Sequence, residues 1–161
     1  MPAVQLPNGG PCLVQSLAII GYYDQLQPEP ALHPRDPLER ALVAQLVYTI
    51  ACDTHPVQNL RILKTYPEAD RPAHARRVIA SGLAAFEALL RREGCAGRYC
   101  CGETVTLADV VLVPQVYNAR RWEVDMTAFP LITRICDNLA QLPAFQAAHP
   151  DVQPDAPAVR S

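Results

Sequence analysis

The first residues suited to chemistry are the adjacent Gln15 and Ser16, which open an apolar run from Leu17 to Ile20. A helix that begins here presents backbone N–H groups and the serine hydroxyl at its positive end, an arrangement that suits a small carboxylate. A serine at this position is also an ordinary helix cap. The pair therefore predicts either a carboxylate-binding helix start or a cap without a ligand.

A second polar group surrounds Pro56, which interrupts a helical pattern. Proline removes a backbone donor and opens the helix, so backbone groups near His55 are left for another partner. His55 fits either a ligand contact or a polar residue that satisfies the kink. Asn59 fits either a ligand contact or the N-cap of a helix that restarts after Pro56.

A third candidate is the Arg120-Arg121 doublet at the end of a predicted helix. A planar guanidinium can hold a carboxylate through two hydrogen bonds, which favours a binding role for Arg121. Arginine is also common on the surface at helix C-termini because it complements the helix dipole. We assign that structural role to Arg120.

Composition excludes several classes of protein. The chain has 161 residues, 19% of them charged, and a net charge of −2, so it offers no basic field for nucleic acid. No apolar run approaches the ~20 residues of a membrane-spanning helix, and the first residues carry no secretory signal. We therefore expect a cytoplasmic protein without nucleic-acid or membrane partners.

The cysteines and histidines predict neither a disulfide framework nor a metal site. Six cysteines are present without a C-x-x-C pair, and the four histidines lack ligand-like spacing. Free thiols are the default in a reducing compartment. The adjacent Cys100 and Cys101 are interpreted as structural loop cysteines.

Helices dominate the predicted structure. Residues 1–14 predict two short strands around a tight turn at Asn8-Gly9, followed by a helix over 15–26 and a proline-rich stretch over 27–37. Asp36 and Pro37 predict the start of the next helix. Its expected buried stripe repeats every four residues: Leu38, Leu42, Leu46 and Ile50.

Three more helices are predicted beyond the Pro56 kink. One runs over 72–93, with Ile79, Leu83, Phe86 and Leu90 on one face, and stops at Gly94. Thr106 and Asp109 form a capping box that opens a helix through about residue 119. This helix is almost wholly apolar, which predicts a central buried helix rather than an amphipathic surface helix. Pro130 starts a helix that ends near residue 142, and residues 143–148 are expected to form a short last turn. The tail over 149–161 is expected to pack loosely.

Taken in order, several segments resemble the zeta-class glutathione transferases, whose bacterial members are mostly maleylacetoacetate isomerases. The matching segments span the chain: residues 15–20, 36–40, 55–60, 98–100, 106–109, 112–121 and 145–155. The resemblance implies a mostly α fold. An all-helical transferase C-terminal domain over 37–161 follows a partial thioredoxin-like β-β-α remnant over 1–27 and a linker over 28–36, and Pro2 takes the position of the family's cis-proline.

The resemblance also implies glutathione-dependent cis–trans isomerisation of a maleylacetoacetate-type substrate, with glutathione as cofactor. It assigns Arg121 to a carboxylate of a small dicarboxylate substrate. The positions that match the family's glutathione contacts are Gln15, Ser16, His55, Asn59, Leu60 and Arg61.

The family's thiol-activating Ser-Ser-Cys segment has no counterpart ahead of Gln15. We therefore assign no catalytic residue, and expect impaired activity and a homodimer that is weaker or altered. Two alternatives remain open: a non-catalytic transferase-like domain for interaction or dimerisation, and a general glutathione transferase.

Overall fold

A computed structural model describes residues 2–156. The expected cis bond between Met1 and Pro2 and the last part of the tail, residues 157–161, lie outside the described residues. The helices are α1 (Ser16–Leu26), α2 (Pro37–Tyr48), α3 (His55–Gln58), α4 (Leu60–Leu63), α5 (Arg71–Glu93), α6 (Leu107–Arg121), α7 (Pro130–Leu139) and α8 (Pro143–Ala147). The prediction of a mostly helical fold is confirmed. Within residues 2–156, no helix combines the length and apolar character needed to cross a membrane.

The chain begins with an antiparallel hairpin of β1 (Ala3–Gln5) and β2 (Cys12–Val14), in which Val4 pairs with Leu13. Asn8 and Gly9 both adopt positive φ, at 57° and 73°, the conformation that makes this dipeptide favourable in tight turns. The predicted strand pair is confirmed. Helix α1 follows directly.

Asp24 fixes the proline-rich segment between α1 and α2. Its side chain is 5% exposed and accepts hydrogen bonds from the Leu32 backbone N–H and from His33 Nδ1, both at 2.8 Å. Burial raises the pKa of Asp24, but the Leu32 and His33 interactions outweigh it and lower the pKa below its ordinary value. Leu32 also accepts a backbone hydrogen bond from Leu107, so this segment is held against the start of α6.

The helix that begins at Pro37 widens into a π-helical turn, Thr49–Thr54, before it continues as α3. The Thr54 hydroxyl donates to the Thr49 carbonyl at 2.7 Å. Thr54 also packs against Gly82 of α5, where a Cβ would lie 2.7 Å from Thr54 Cγ2 and closer still to Oγ1. The predicted disturbance at Pro56 is therefore a widened turn followed by a short helix.

Buried carboxylates fix the starts of two helices. Asp109 is fully buried and accepts from the backbone N–H groups of Thr106 and Cys100, each at 2.8 Å, and the predicted capping box at Thr106 is present. Glu87 of α5 is 4% exposed and accepts from the N–H groups of Leu131 and Ile132 at the start of α7. Asp109 thereby fixes the loop and the N-cap residue that precede α6, and Glu87 satisfies two first-turn amides of α7 that have no partner within that helix.

Helices α2, α5, α6 and α7 enclose the core. The predicted stripe of α5 is confirmed, because its four members are at most 1% exposed: Ile79, Leu83, Phe86 and Leu90. Gly94 ends this helix with φ of 62°, as the sequence predicts.

One predicted position in the buried stripe of α2 is wrong. Leu38 is 68% exposed, because a spacing of four residues drifts around a helix of 3.6 residues per turn. Leu46 and Ile50 are buried as predicted, together with Val43 and Val47. Helix α6 is the central buried helix that the sequence predicts, with eight buried residues, although its exposed Pro114 lines an apolar groove.

The C-terminal part is better held than predicted. The expected helix over 130–142 ends earlier, at Leu139, and α8 begins at Pro143, where the sequence predicts a short last turn. As far as residue 156, the tail is fixed by hydrogen bonds. The Tyr117 hydroxyl donates to Asp151 at 3.1 Å, and Gln153 Nε2 donates to the Ala147 carbonyl at 2.8 Å. Loose packing is therefore wrong for this part of the tail.

The contact between α5 and the π-helical turn predicts that replacement of glycine by alanine has opposite effects on stability at Gly82 and at Gly21. Gly82→Ala should lower the free energy of unfolding by about 1–3 kcal/mol, because the new methyl group overlaps Thr54. Gly21→Ala is the matched control, since a Cβ there meets nothing within 4 Å. It should raise stability by about 0.5–1 kcal/mol through helix propensity. Urea denaturation measures both. Equal effects at the two sites would contradict the close packing.

Candidate functional site

A cavity of about 660 Å³ lies between the α3–α4 segment and the C-terminal end of α6. One wall consists of His55, Gln58, Asn59, Leu60 and Leu63. The facing wall consists of Asn118, Arg121 and Trp122. The structure thus brings four of the predicted site residues together around one cavity: His55, Asn59, Leu60 and Arg121.

A buried pair of amide side chains joins the two walls. Gln58 Nε2 donates to Gln115 Oε1 at 2.7 Å, and Gln115 Nε2 donates to Gln58 Oε1 at 3.0 Å. Gln115 is fully buried and Gln58 is 8% exposed. An unsatisfied amide at this depth costs about 1–3 kcal/mol, so the reciprocal pairing fixes how α3 lies against α6.

His55 lies beside this pair and is neutral in the folded protein at neutral pH. Its partial burial lowers the pKa below the usual 6.5, although a hydrogen bond with Gln115 opposes the shift. His55 therefore contributes a neutral ring to the cavity, with hydrogen-bonding capacity but without a second positive charge.

Asn59 connects α3 to α4. Its backbone is extended, with φ of −69° and ψ of 158°, and its Oδ1 accepts from the Ile62 N–H at 3.1 Å. The side chain therefore caps α4, one of the two roles left open by the sequence, and at the same time lines the cavity. Leu60 is 70% exposed at the rim.

Arg121 is the only charged side chain among the described residues that line this cavity. Its guanidinium makes no hydrogen bond or ion pair within residues 2–156. The end of α6 that carries it is fixed from α5, because Arg76 Nε donates to the Trp122 carbonyl at 2.7 Å and Arg76 pairs with Glu123. A fixed cation without a carboxylate partner suits an anionic group.

Gln15 and Ser16 lie at the start of α1 and do not line this cavity. Gln15 has φ of 74° and ψ of 122°, a sparsely populated conformation for a residue with a side chain. Such strain costs about 1–3 kcal/mol and concentrates at ligand-binding positions. Ser16 is exposed, and its hydroxyl has no hydrogen bond to any of residues 2–156.

The sequence interpretation and the structure differ in which residues surround the cavity. Arg61 is exposed and lies outside the lining. The sequence reasoning missed Gln58, Leu63, Asn118 and Trp122. Polar residues within apolar runs could have indicated the position of the cavity. Gln115, in the middle of α6, is such a residue. No cluster of three metal-ligating side chains occurs in the described part of the chain.

Comparison with known proteins identifies a family for this chain. Residues 41–160 match the family model of the glutathione S-transferase C-terminal domain. The maleylacetoacetate isomerase of Mus musculus is 43% identical over 158 residues, which cover 98% of this chain and 71% of the mouse protein.

Solved structures agree with this match. The maleylacetoacetate isomerase of Anaeromyxobacter dehalogenans, with bound dicarboxyethyl glutathione and citrate in its active site, superimposes with a TM-score of 0.91 at 42% identity, over 98% of this chain and 72% of that one. A maleylpyruvate isomerase described as a bacterial zeta-class glutathione S-transferase gives a TM-score of 0.91 at 41% identity, over 98% and 76%. This chain therefore belongs to the zeta-class glutathione transferases of the maleylacetoacetate isomerase family.

Proposed function

We propose that this protein carries out glutathione-dependent cis–trans isomerisation of a maleylacetoacetate-type dicarboxylate. The observation that carries the proposal is the single cationic side chain, Arg121, in a cavity otherwise lined by neutral residues. Such a cavity attracts one carboxylate and orients the molecule that bears it. The relative from Anaeromyxobacter dehalogenans supports this assignment, because it holds dicarboxyethyl glutathione and citrate in its active site.

Gln15 and Ser16 are suited to hold the γ-glutamyl end of glutathione. The start of α1 offers backbone N–H groups without partners inside the helix, and Ser16 adds an exposed hydroxyl. The positive φ of Gln15 supports a binding role, since strain of this kind persists where a site needs it. Glutathione supplies a thiolate that adds reversibly to a conjugated double bond and so permits rotation about it.

The cavity residues position the substrate for this chemistry. Arg121 holds a carboxylate through two hydrogen bonds, and Asn118 and neutral His55 offer further polar contacts. His55, Asn59 and Leu60 also match the family's glutathione contacts, as does Arg61 outside the lining. Leu63 and Trp122 reduce the access of water, which strengthens the interaction between Arg121 and the carboxylate.

We also propose that the protein forms a homodimer in the cytoplasm. Apolar and aromatic side chains of β2 and α1 remain in contact with water, and a second copy of the chain can cover them: Val14, Tyr22, Tyr23 and Leu26 are 36–58% exposed. Because the four side chains are only partly exposed, their burial contributes little free energy of association, and we expect a weak dimer. Sedimentation velocity at micromolar concentrations should show a concentration-dependent shift from monomer to dimer, whereas a single monomeric species over the whole range would contradict self-association.

The neutral state of His55 predicts a dependence of stability on pH. Because the pKa of His55 is lowered in the folded protein, the unfolded chain binds a proton first as the pH falls through 6.5. Stability linked to this group is present above that pH and is lost below it. His55→Gln should therefore reduce the loss of stability between about pH 7.5 and about pH 5.5, measured by urea denaturation. An identical loss in the variant would contradict burial of a neutral histidine.

Arg121 and its neighbour Arg120 provide the direct test of the site. Arg121→Ala should weaken binding of dicarboxyethyl glutathione by about 10- to 100-fold, because a hydrogen-bonded charged contact contributes about 1.5–3 kcal/mol. Affinity for glutathione itself should change little. Arg120→Ala is the matched control, since Arg120 lines the apolar groove on another face of α6. Isothermal titration calorimetry measures all these affinities.

An isomerisation assay distinguishes the proposed isomerase from a non-catalytic domain and from a general glutathione transferase. A maleyl substrate should isomerise only when glutathione is present, and more slowly with Arg121→Ala than with Arg120→Ala. Binding of both glutathione compounds without conversion would contradict an isomerase and favour a non-catalytic transferase-like domain. Conjugation of unrelated electrophiles without isomerisation would instead indicate a general glutathione transferase.

A further inference from the structure

A pair of cysteines lies in the loop between α5 and α6, away from the cavity that contains Arg121. Cys95 and Cys101 are both half-buried, and both line a separate cavity of about 720 Å³. Polar and charged side chains line the same cavity, among them Arg35, which pairs with Glu29, and the carboxylates of Glu39 and Glu103. The two thiols are thus accessible to a polar reagent of moderate size.

The backbone of this loop places the two cysteines side by side. The Gly102 N–H donates to the Cys95 carbonyl at 2.8 Å, and the Tyr99 N–H donates to the Gly102 carbonyl at 3.0 Å. Cys101 therefore directly precedes the residue whose amide is bonded to Cys95. Cys95 Sγ itself lies 3.5 Å from the carbonyl oxygen of Cys100, so the Cys95 thiol reaches the backbone that carries Cys101.

The rest of the loop is held rigidly, which preserves this placement. Arg134 donates to the Gly97 carbonyl at 2.7 Å, and Asn138 donates to the Arg98 carbonyl at 2.8 Å. The Cys100 N–H is bound by the buried carboxylate of Asp109. Both branches of the loop are therefore fixed to α6 and α7.

Cys95 is the more reactive thiol of the pair. A hydrogen bond from Cys101 lowers the pKa of Cys95 to about 7, against the opposing effects of burial and of Glu93. The same interaction and burial raise the pKa of Cys101. The adjacent Cys100 is fully buried, and burial raises its pKa well above the ordinary value.

We propose that Cys95 and Cys101 form a redox-active thiol pair that reacts with glutathione disulfide and closes to an intramolecular disulfide. The Cys95 thiolate attacks one sulfur of glutathione disulfide, whose S–S bond breaks and releases one glutathione. Cys101 loses its proton to solvent and attacks the Cys95 sulfur, which releases the second glutathione. The two cysteine thiols lose two electrons, and one glutathione disulfide becomes two molecules of glutathione.

This reaction is independent of the proposed isomerase activity. It uses neither Arg121 nor the start of α1, and its product is read as a change in the mass of the protein. Failure of isomerisation therefore leaves the thiol pair fully testable.

The test uses the full chain in which the exposed Cys12 and Cys52 are replaced by serine. After incubation with glutathione disulfide at pH 7, intact mass spectrometry should show the loss of two hydrogens. Trypsin cleaves after Arg98, between the two cysteines, so the oxidised protein should yield two peptides joined by one disulfide. Fragmentation should place that link at Cys101.

Three variants in the same background separate the steps. Cys101→Ser should stop at one glutathione bound to Cys95, because the resolving thiol is absent. Cys101→Ala should reach the same product about fivefold more slowly, since the hydrogen bond that stabilises the Cys95 thiolate is lost. Cys95→Ser should form no internal disulfide. Circular dichroism checks that each variant is folded.

Several results would overturn the proposal. These are a link at Cys100, no loss of two hydrogens from the folded parent, or equal rates for Cys101→Ser and Cys101→Ala.

Discussion

The reciprocal hydrogen bonds between Gln58 and Gln115 are the constraint on which the cavity depends. Both amides are buried, and each satisfies the donor and the acceptor of the other. Because neither side chain can turn away without leaving polar atoms unpaired in the interior, α3 and α6 keep one relative position. That position sets His55 and Asn59 opposite Asn118 and Arg121.

Other buried polar groups extend the same principle through the fold. Asp24 holds the segment before α2, Asp109 holds the loop before α6, and Glu87 holds the start of α7. Each carboxylate accepts from at least one backbone amide that lies outside its own helix. Burial of the apolar stripes drives the helices together but does not fix their orientation, because the hydrophobic effect is non-directional. These hydrogen bonds fix the positions of the helix ends and therefore of the functional side chains.

Features that depend on neighbouring residues could be predicted from the sequence, whereas contacts between distant segments could not. The Asn8-Gly9 turn, the cap at Asp36, the capping box at Thr106 and the stop at Gly94 depend on residues close together in the chain. Leu38 was misplaced because a regular spacing of four does not follow one face of a helix. Gln58 and Gln115 are 57 residues apart, and nothing in either segment alone shows that they pair. For the same reason the sequence assigned Arg121, Asn59 and His55 separately, and only the fold brings them to one cavity.

A double-mutant cycle with Gln58→Leu and Gln115→Leu tests most directly whether the amide pair joins the two walls. Leucine fills most of the space of glutamine with apolar atoms, so each single substitution should lower the free energy of unfolding by about 1–3 kcal/mol by leaving one buried amide unpaired. The double variant should lose no more than one single variant, since no unpaired amide remains. Losses that simply add would show that the two side chains act independently, and would contradict the account.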